Sequence, residues 1–204
     1  MFENSHIPAI IKEAEAYCTH LLKAKLPPNL VFHNYHHTEH VVKTAQEIGI
    51  NSGLEEVELQ ILAVAAWFHD TGYCNRYKGH EDDSMLLAAE FLNEQGAGAG
   101  FKQHVLCCIK ATKHANAPQN LLEQVICDAD LSHLGKSFYK ASSLKLKEEI
   151  ELTTGTDLTA KEWHRQNLAF LKAHTFFTAY ARMKYDRQKN KNLQEERRLF
   201  YLQE

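Results

Sequence analysis

Histidines and aspartates at a few spaced positions are the side chains of this chain best suited to chemistry. His69 and Asp70 are adjacent within Ala66-Trp67-Phe68-His69-Asp70-Thr71-Gly72-Tyr73. The stretch Tyr35-His36-His37-Thr38-Glu39-His40 sets His36 and His40 one helical turn apart on a common face. Asp130 closes Ile126-Cys127-Asp128-Ala129-Asp130, while His80, followed by Glu81, and His114 lie between these segments. Imidazole nitrogens and carboxylate oxygens together suit Mn, Fe, Co, Ni or Zn better than calcium, and Mg is also compatible. His40, His69, Asp70, His80, His114 and Asp130 supply enough donors for one or two such ions. Asp70 is the natural bridge, because a carboxylate has an oxygen for each ion. An adjacent His and Asp after a helix also has a plain reading as a helix-end residue and a turn residue. Six potential ligands at helix ends weigh against it, since unpaired buried histidines and aspartates are costly.

Such side chains need rigid mounts, and the sequence supplies helices. Residues 57 to 68 are apolar on nearly every side, which predicts a central helix packed all round that ends at His69 and Asp70. Gly72 is expected to supply the backbone freedom of that helix end. Ahead of it, Ile7, Ile10, Ile11, Ala14, Cys18, Leu21 and Leu22 predict a first helix, capped by Ser5 and stopped at Leu26-Pro27-Pro28-Asn29. A second helix is expected from about His37 to Ile50, with Val41, Ala45 and Ile48 inward.

Met85 to Leu92 mark a fourth helix ended by Gly96-Ala97-Gly98-Ala99-Gly100, and a fifth runs from about Phe101 to Lys113. Pro118 is expected to open the sixth and Lys136 the seventh. Thr159-Ala160-Lys161-Glu162 has capping-box spacing and leads into a helical tail in which Phe177, Ala181 and Met183 continue the apolar positions. No period-two alternation or internal repeat occurs, so the expected fold is all-α, a single compact helical bundle over residues 1–204. The charged stretch from Asp186 to Glu204 reads as a solvated closing helix or a frayed one.

Composition removes several classes. Apolar residues make up 44% and charged residues 24%, as in ordinary globular chains, and the net charge of -3 argues against an extended nucleic-acid surface. No apolar run is long enough for a membrane span and no signal peptide is visible, so a soluble cytoplasmic protein with no membrane partner is expected. Five cysteines without a Cys-x-x-Cys pair point to reduced thiols.

With the helices in place, the order of the motifs resembles the HD superfamily of metal-dependent phosphohydrolases. The resemblance covers about residues 30 to 136 and leaves a C-terminal helical extension at about 156 to 204. It implies that His40, the His69-Asp70 pair and Asp130 are the four defining ligands. By the same resemblance His80 and His114 are the additional histidines of two-metal members. Tyr35-His36-x-x-x-His40 and Ala129-Asp130-Leu131-Ser132 are similar to segments of the cyclic-nucleotide phosphodiesterases in that superfamily, which implies His36 as proton donor and His40 as ligand. The purine-clamping glutamine of those enzymes has no counterpart here, so cyclic-nucleotide specificity is not implied. His33, His37 and His133, beside motif positions, are left undecided, and Asp128 is expected to orient a ligand or accept a proton.

The expected reaction is hydrolysis of a phosphomonoester or phosphodiester, of a nucleotide or similar small metabolite, by activated water with Asp70 at the centre. Lys78, Lys110 and Lys113 are candidates to neutralise the phosphate, and Trp163, Arg165 and Gln166 to border the pocket. A rival class is the di-iron oxygenase, which some HD-fold proteins with six such ligands are. A non-catalytic nucleotide- or partner-binding module is a third reading, against which the complete ligand set argues.

Overall fold

The computed structural model describes residues 7–113 and 116–202, so Ser5 and His114 lie outside the described residues. Nine α-helices and two short 3₁₀ helices make up the described secondary structure, and no strand occurs among those residues. The helices are α1 (Ile7–Lys25), α2 (Tyr35–Asn51), α3 (Glu56–Phe68), α4 (His80–Glu94), α5 (Ala99–Ala111), α6 (Leu121–Asp130), α7 (Tyr139–Thr154), α8 (Ala160–Ala173) and α9 (Ala179–Tyr201). The 3₁₀ helices, Thr71–Cys74 and Leu131–Gly135, directly follow α3 and α6. The fold is all-α, as the periodicity predicts.

Helix α3 is the hub because its sequence leaves it no polar face. Every residue from Ile61 to Phe68 is buried, and α1, α2, α5, α4 and α6 all pack against it. Phe68 stacks on Tyr17 at 5.6 Å and meets Phe91 at 5.1 Å between ring centroids. Truncating a ring so enclosed costs about 3–5 kcal/mol. The chemistry at the end of α3 therefore sits on the most firmly held element of the bundle.

Gly72 serves this arrangement differently from the expectation. It is not among the positive-φ glycines. A Cβ at Gly72 would lie 1.9 Å from the His80 carbonyl oxygen and 2.7 Å from Ser84 N. Its N–H donates to Ser84 Oγ at 2.9 Å. The missing side chain thus lets the 3₁₀ turn after α3 touch the first turn of α4, which brings His80 to the centre.

The predicted ends shift where side chains compete. Asn120 caps α6 by accepting from Glu123 N at 3.0 Å, which leaves Pro118 outside the helix. The Thr159–Glu162 capping box forms at the start of α8. The tail, read as one helical run, breaks between Ala173 and Ala179 because Asp128 of α6 takes the backbone N–H groups of Phe177 and Thr178, each at 2.8 Å. Thr178 then caps α9 by accepting from Ala181 N. Met183 ends up 74% exposed, so the tail's apolar spacing overstates its core. Helix α9 is neither frayed nor fully solvated: Lys189, Asn192 and Glu196 are buried, and Asn192 Nδ2 donates to the carbonyls of Leu134 and Lys136.

Candidate metal centre

The residues that converge come from the ends of α3 and α6 and the start of α2. Asn34 caps α2 by accepting from the N–H groups of His36 and His37, which fixes the helical phase of the segment. In that phase the buried stripe of α2 is Thr38, Val41, Thr44, Ala45, Ile48 and Gly49. His37, one turn before Val41, extends that stripe toward the centre with a side chain only 8% exposed. Its Nε2 lies 3.3 Å from Asp70 Oδ2 and 3.1 Å from Asp130 Oδ1. His69 Nε2 lies 3.2 Å from Asp70 Oδ2 and 3.7 Å from Asp130 Oδ1.

The first histidine of the cluster is therefore His37, and the expectation for His40 is corrected. His40 Nε2 faces Ser132 Oγ at 3.2 Å, and its ring meets Phe138 edge-on. Burial, followed by Lys136, lowers its pKa. His36 points to solvent, away from the cluster. The sequence did hold a signal for His37. Stepping back one turn from the inward positions Val41 and Ala45 gives 37 and 41, not 36 and 40.

Asp70 stands between two groups of donors. Its Oδ2 faces His37 and His69, and its Oδ1 lies 3.3 Å from His80 Nε2. The His80 ring is held by Tyr73, stacked at 3.6 Å and 16°. His69 Nδ1 donates to Ala66 O at 2.8 Å and His80 Nδ1 to Tyr77 O at 3.3 Å. A carbonyl can only accept, so in the neutral rings each Nδ1 carries the hydrogen and each Nε2 presents a lone pair inward. This is how metal-binding histidines are commonly oriented.

Three buried atoms here have no hydrogen-bond partner: His37 Nε2, His69 Nε2 and Asp70 Oδ2. All lie on residues whose donor atoms are within 4.8 Å of one another. Orphaned polar atoms in a dry interior are costly unless something else satisfies them. Donors about 2.1 Å from a shared ion and at right angles stand roughly 3 Å apart, close to the separations found. The residues present fit a divalent transition metal.

The charges agree. Burial opposes a charged His37, yet Asp130 and Asp70 outweigh it and hold its pKa at about 9. Burial likewise opposes a charged His69, but Asp70 leads the carboxylates that push its pKa well up; burial opposes a charged His80 too, and Asp70 outweighs it to raise that pKa. Burial resists ionisation of Asp70 and Asp130 as well. His69 foremost for Asp70, and His37 foremost for Asp130, keep both carboxyls well below their ordinary range. A site with two ionised carboxylates holds positive charge, as protons or as a metal.

Beside the cluster, a cavity of about 620 Å³ opens onto Asp130, between the ends of α5 and α6 and the α8–α9 connection. Of the three lysines singled out, Lys113 lines it and pairs with Asp82 at 2.5 Å. Lys110 lines a separate hollow with Cys107 and Glu123, and Lys78 is exposed. Trp163 is buried against Ser143, and Arg165 borders another hollow beside Phe200. Neither lines the cavity. Asp128 serves the chain break described above rather than a ligand.

Sequence reading missed a pairing outside the motifs. Glu149 of α7 is fully buried and accepts from Phe32 N at 2.8 Å and His33 N at 2.9 Å, while its other oxygen pairs with His33 Nδ1. The His33 ring stacks on Tyr73 at 4.7 Å and meets His37 edge-on at 5.5 Å.

A family model described as the HD domain matches residues 34–135, half of the chain. No curated protein matches the sequence. A solved structure described as a predicted HD superfamily hydrolase, from an uncultured Thermotogales bacterium, resembles the fold with a TM-score of 0.56. The likeness covers 97% of this chain and 91% of the other at 19% identity, and is a likeness of fold.

Proposed function

Because the chain belongs to the HD-domain family, we propose that it is a metal-dependent phosphohydrolase acting on a phosphomonoester or phosphodiester of a nucleotide or similar small metabolite. The observation that carries this reading is the convergence of His37, His69 and Asp70 donor atoms, buried and without hydrogen-bond partners, beside a cavity of substrate size. His37, His69, Asp70 and Asp130 would hold one ion. Asp70 through its other oxygen, with His80, would begin a second site, to which His114 is the expected further ligand. Mn, Fe, Co, Ni, Zn or Mg is compatible with these donors. When bound, such an ion supplies Lewis acidity toward a phosphoryl oxygen and a water acidic enough to attack phosphorus near neutral pH.

The remaining work falls to the chain's own groups. His33 takes the proton-donor role that the family resemblance implied for His36. The buried Glu149 carboxylate holds Nδ1, which fixes the tautomer and leaves Nε2 to pass a proton to the departing oxygen. Lys113 stands at the cavity wall in an ion pair with Asp82, and can serve an entering phosphate only by exchanging that partner.

The test is release of nitrophenol from a nitrophenyl phosphodiester and a nitrophenyl phosphomonoester, with added Mn and without oxygen, in the protein and its Asp70→Ala variant. Turnover that falls to background in the variant is expected, and the preferred ester assigns the reaction. No turnover from folded, metal-loaded protein would overturn the proposal. If bound iron and oxygen uptake accompanied that failure, the di-iron oxygenase reading would replace it.

A further inference from the structure

We propose that the cavity beside Asp130 receives the organic part of the substrate, and that this part is aromatic or otherwise apolar rather than a polyol. The inference rests on the reading of the centre as a phosphate-processing site, and deepens it by naming the substrate class.

Three observations lead there. First, the volume of about 620 Å³ is far more than a phosphate group needs, and lies within the range of small-molecule pockets. Second, carbon makes up one side of the wall: Leu131, Phe170, Ala173 and Phe177 line it, with Thr112, Lys113, Asn116, His174 and Thr175 as its polar members beside Asp130. Phe177 is 41% exposed, an aromatic face held beside the cavity rather than buried in the core. Aromatic side chains reward ring-bearing ligands by area and by ring–ring geometry.

Third, the donors of several polar side chains in the wall are already spent. Thr112 Oγ1 donates to Ile109 O at 2.8 Å, Asn116 Nδ2 to Lys110 O at 2.8 Å and Cys127 Sγ to Ala111 O at 3.2 Å. Lys113, the one lysine or arginine among the described lining residues, is engaged by Asp82. A sugar or polyol needs many hydrogen-bond partners once stripped of water, and a polyphosphate needs several cations. This wall serves neither well. One anionic group at the Asp130 end and an apolar body along the phenylalanines match it.

The position of Phe177 is built in. Asp128 accepts from Phe177 N and Thr178 N, and Arg182 donates to the carbonyls of Phe176 and Phe177. Phe177 lies beyond the residues that match the family model, and Asp128 of α6, inside that match, and Arg182 of α9, outside it, fix it together.

Calorimetric titration of the Mn-loaded protein with methylphosphonate, 2-hydroxyethylphosphonate and phenylphosphonate tests this without relying on turnover. Phenylphosphonate is expected to bind about tenfold more tightly than the other two, the scale of burying one ring face. In Phe177→Ala, whose exposed side chain makes misfolding a small risk, the preference should shrink to about threefold or less with methylphosphonate unchanged; Phe170→Ala is the second variant. Equal affinities, tighter binding of the hydroxyethyl compound, or a phenyl preference that survives in both variants would overturn the inference. Failure of all three compounds to bind metal-loaded protein would instead remove the phosphate-site reading, and the inference with it.

Discussion

Replacing His37 by alanine is expected to lower metal affinity by at least about 100-fold, whereas His40→Ala should keep the metal and lose only about 1 kcal/mol of stability with its Ser132 contact. Metal content after dialysis, alongside a thermal melt of each variant, separates the two outcomes. His33→Asn and Glu149→Gln are expected to retain metal yet slow turnover by about 10²–10⁴ on an alkyl phosphate, whose leaving oxygen needs a proton. Both variants should be much less affected on the nitrophenyl ester, because nitrophenolate departs unprotonated, so the ratio of the two rates is the readout. Equal losses on both esters would assign the pair a structural role. At this scale the sequence shows which residue types matter more clearly than which individuals. His69, Asp70 and Asp130 stood out because each closes an apolar segment, whereas His80, followed by Glu81, Asp82 and Asp83, was singled out by its place at a helix start and by the family resemblance. The run of histidines at 33, 36, 37 and 40 was not, because the choice among them depends on helical phase, and that is set by the Asn34 cap.

Among the elements, the junction of α3 with α4 is the most sensitive to a small change. Gly72→Ala would drive a methyl group into the His80 carbonyl, a backbone atom that cannot swing aside, and an overpacking cost of about 1–3 kcal/mol is expected. A lower melting temperature of the metal-free protein, together with weaker binding of a second equivalent of metal as His80 is displaced, checks it. An unchanged melt would mean that the two turns separate freely. Most helices were readable, because apolar spacing and capping residues act locally: α3 and the Thr159 capping box formed where their residues stand. The break between α8 and α9 was not readable, because its cause lies about fifty residues earlier in the buried carboxylate of Asp128. The role of Gly72 was misread for the same kind of reason, since a close approach between elements leaves no mark on local sequence.

For the molecule as a whole, proton and metal compete for one buried charge site. Without metal, His37 has a pKa of about 9 in the folded chain against 6.5 unfolded. Its contribution to stability is thus fully present below about pH 6.5 and lost as pH rises through 9. Metal requires the unprotonated ring, so the added stability from Mn should be small at pH 6 and grow toward pH 9. Thermal melts with and without Mn at three pH values measure this directly, and an increment that fell as pH rose would contradict the ligand assignment. The all-α class was legible across the whole chain from its periodicity, yet the proposed proton-donor pair reaches beyond the 34–135 stretch that carries the family pattern. His33 and Glu149 stand outside that stretch on both sides, 116 positions apart, and under the proposed mechanism neither would keep its role without the other. Among descendants of this sequence the two positions should therefore change in step, so that a lineage that loses the carboxylate at 149 also relinquishes the imidazole at 33.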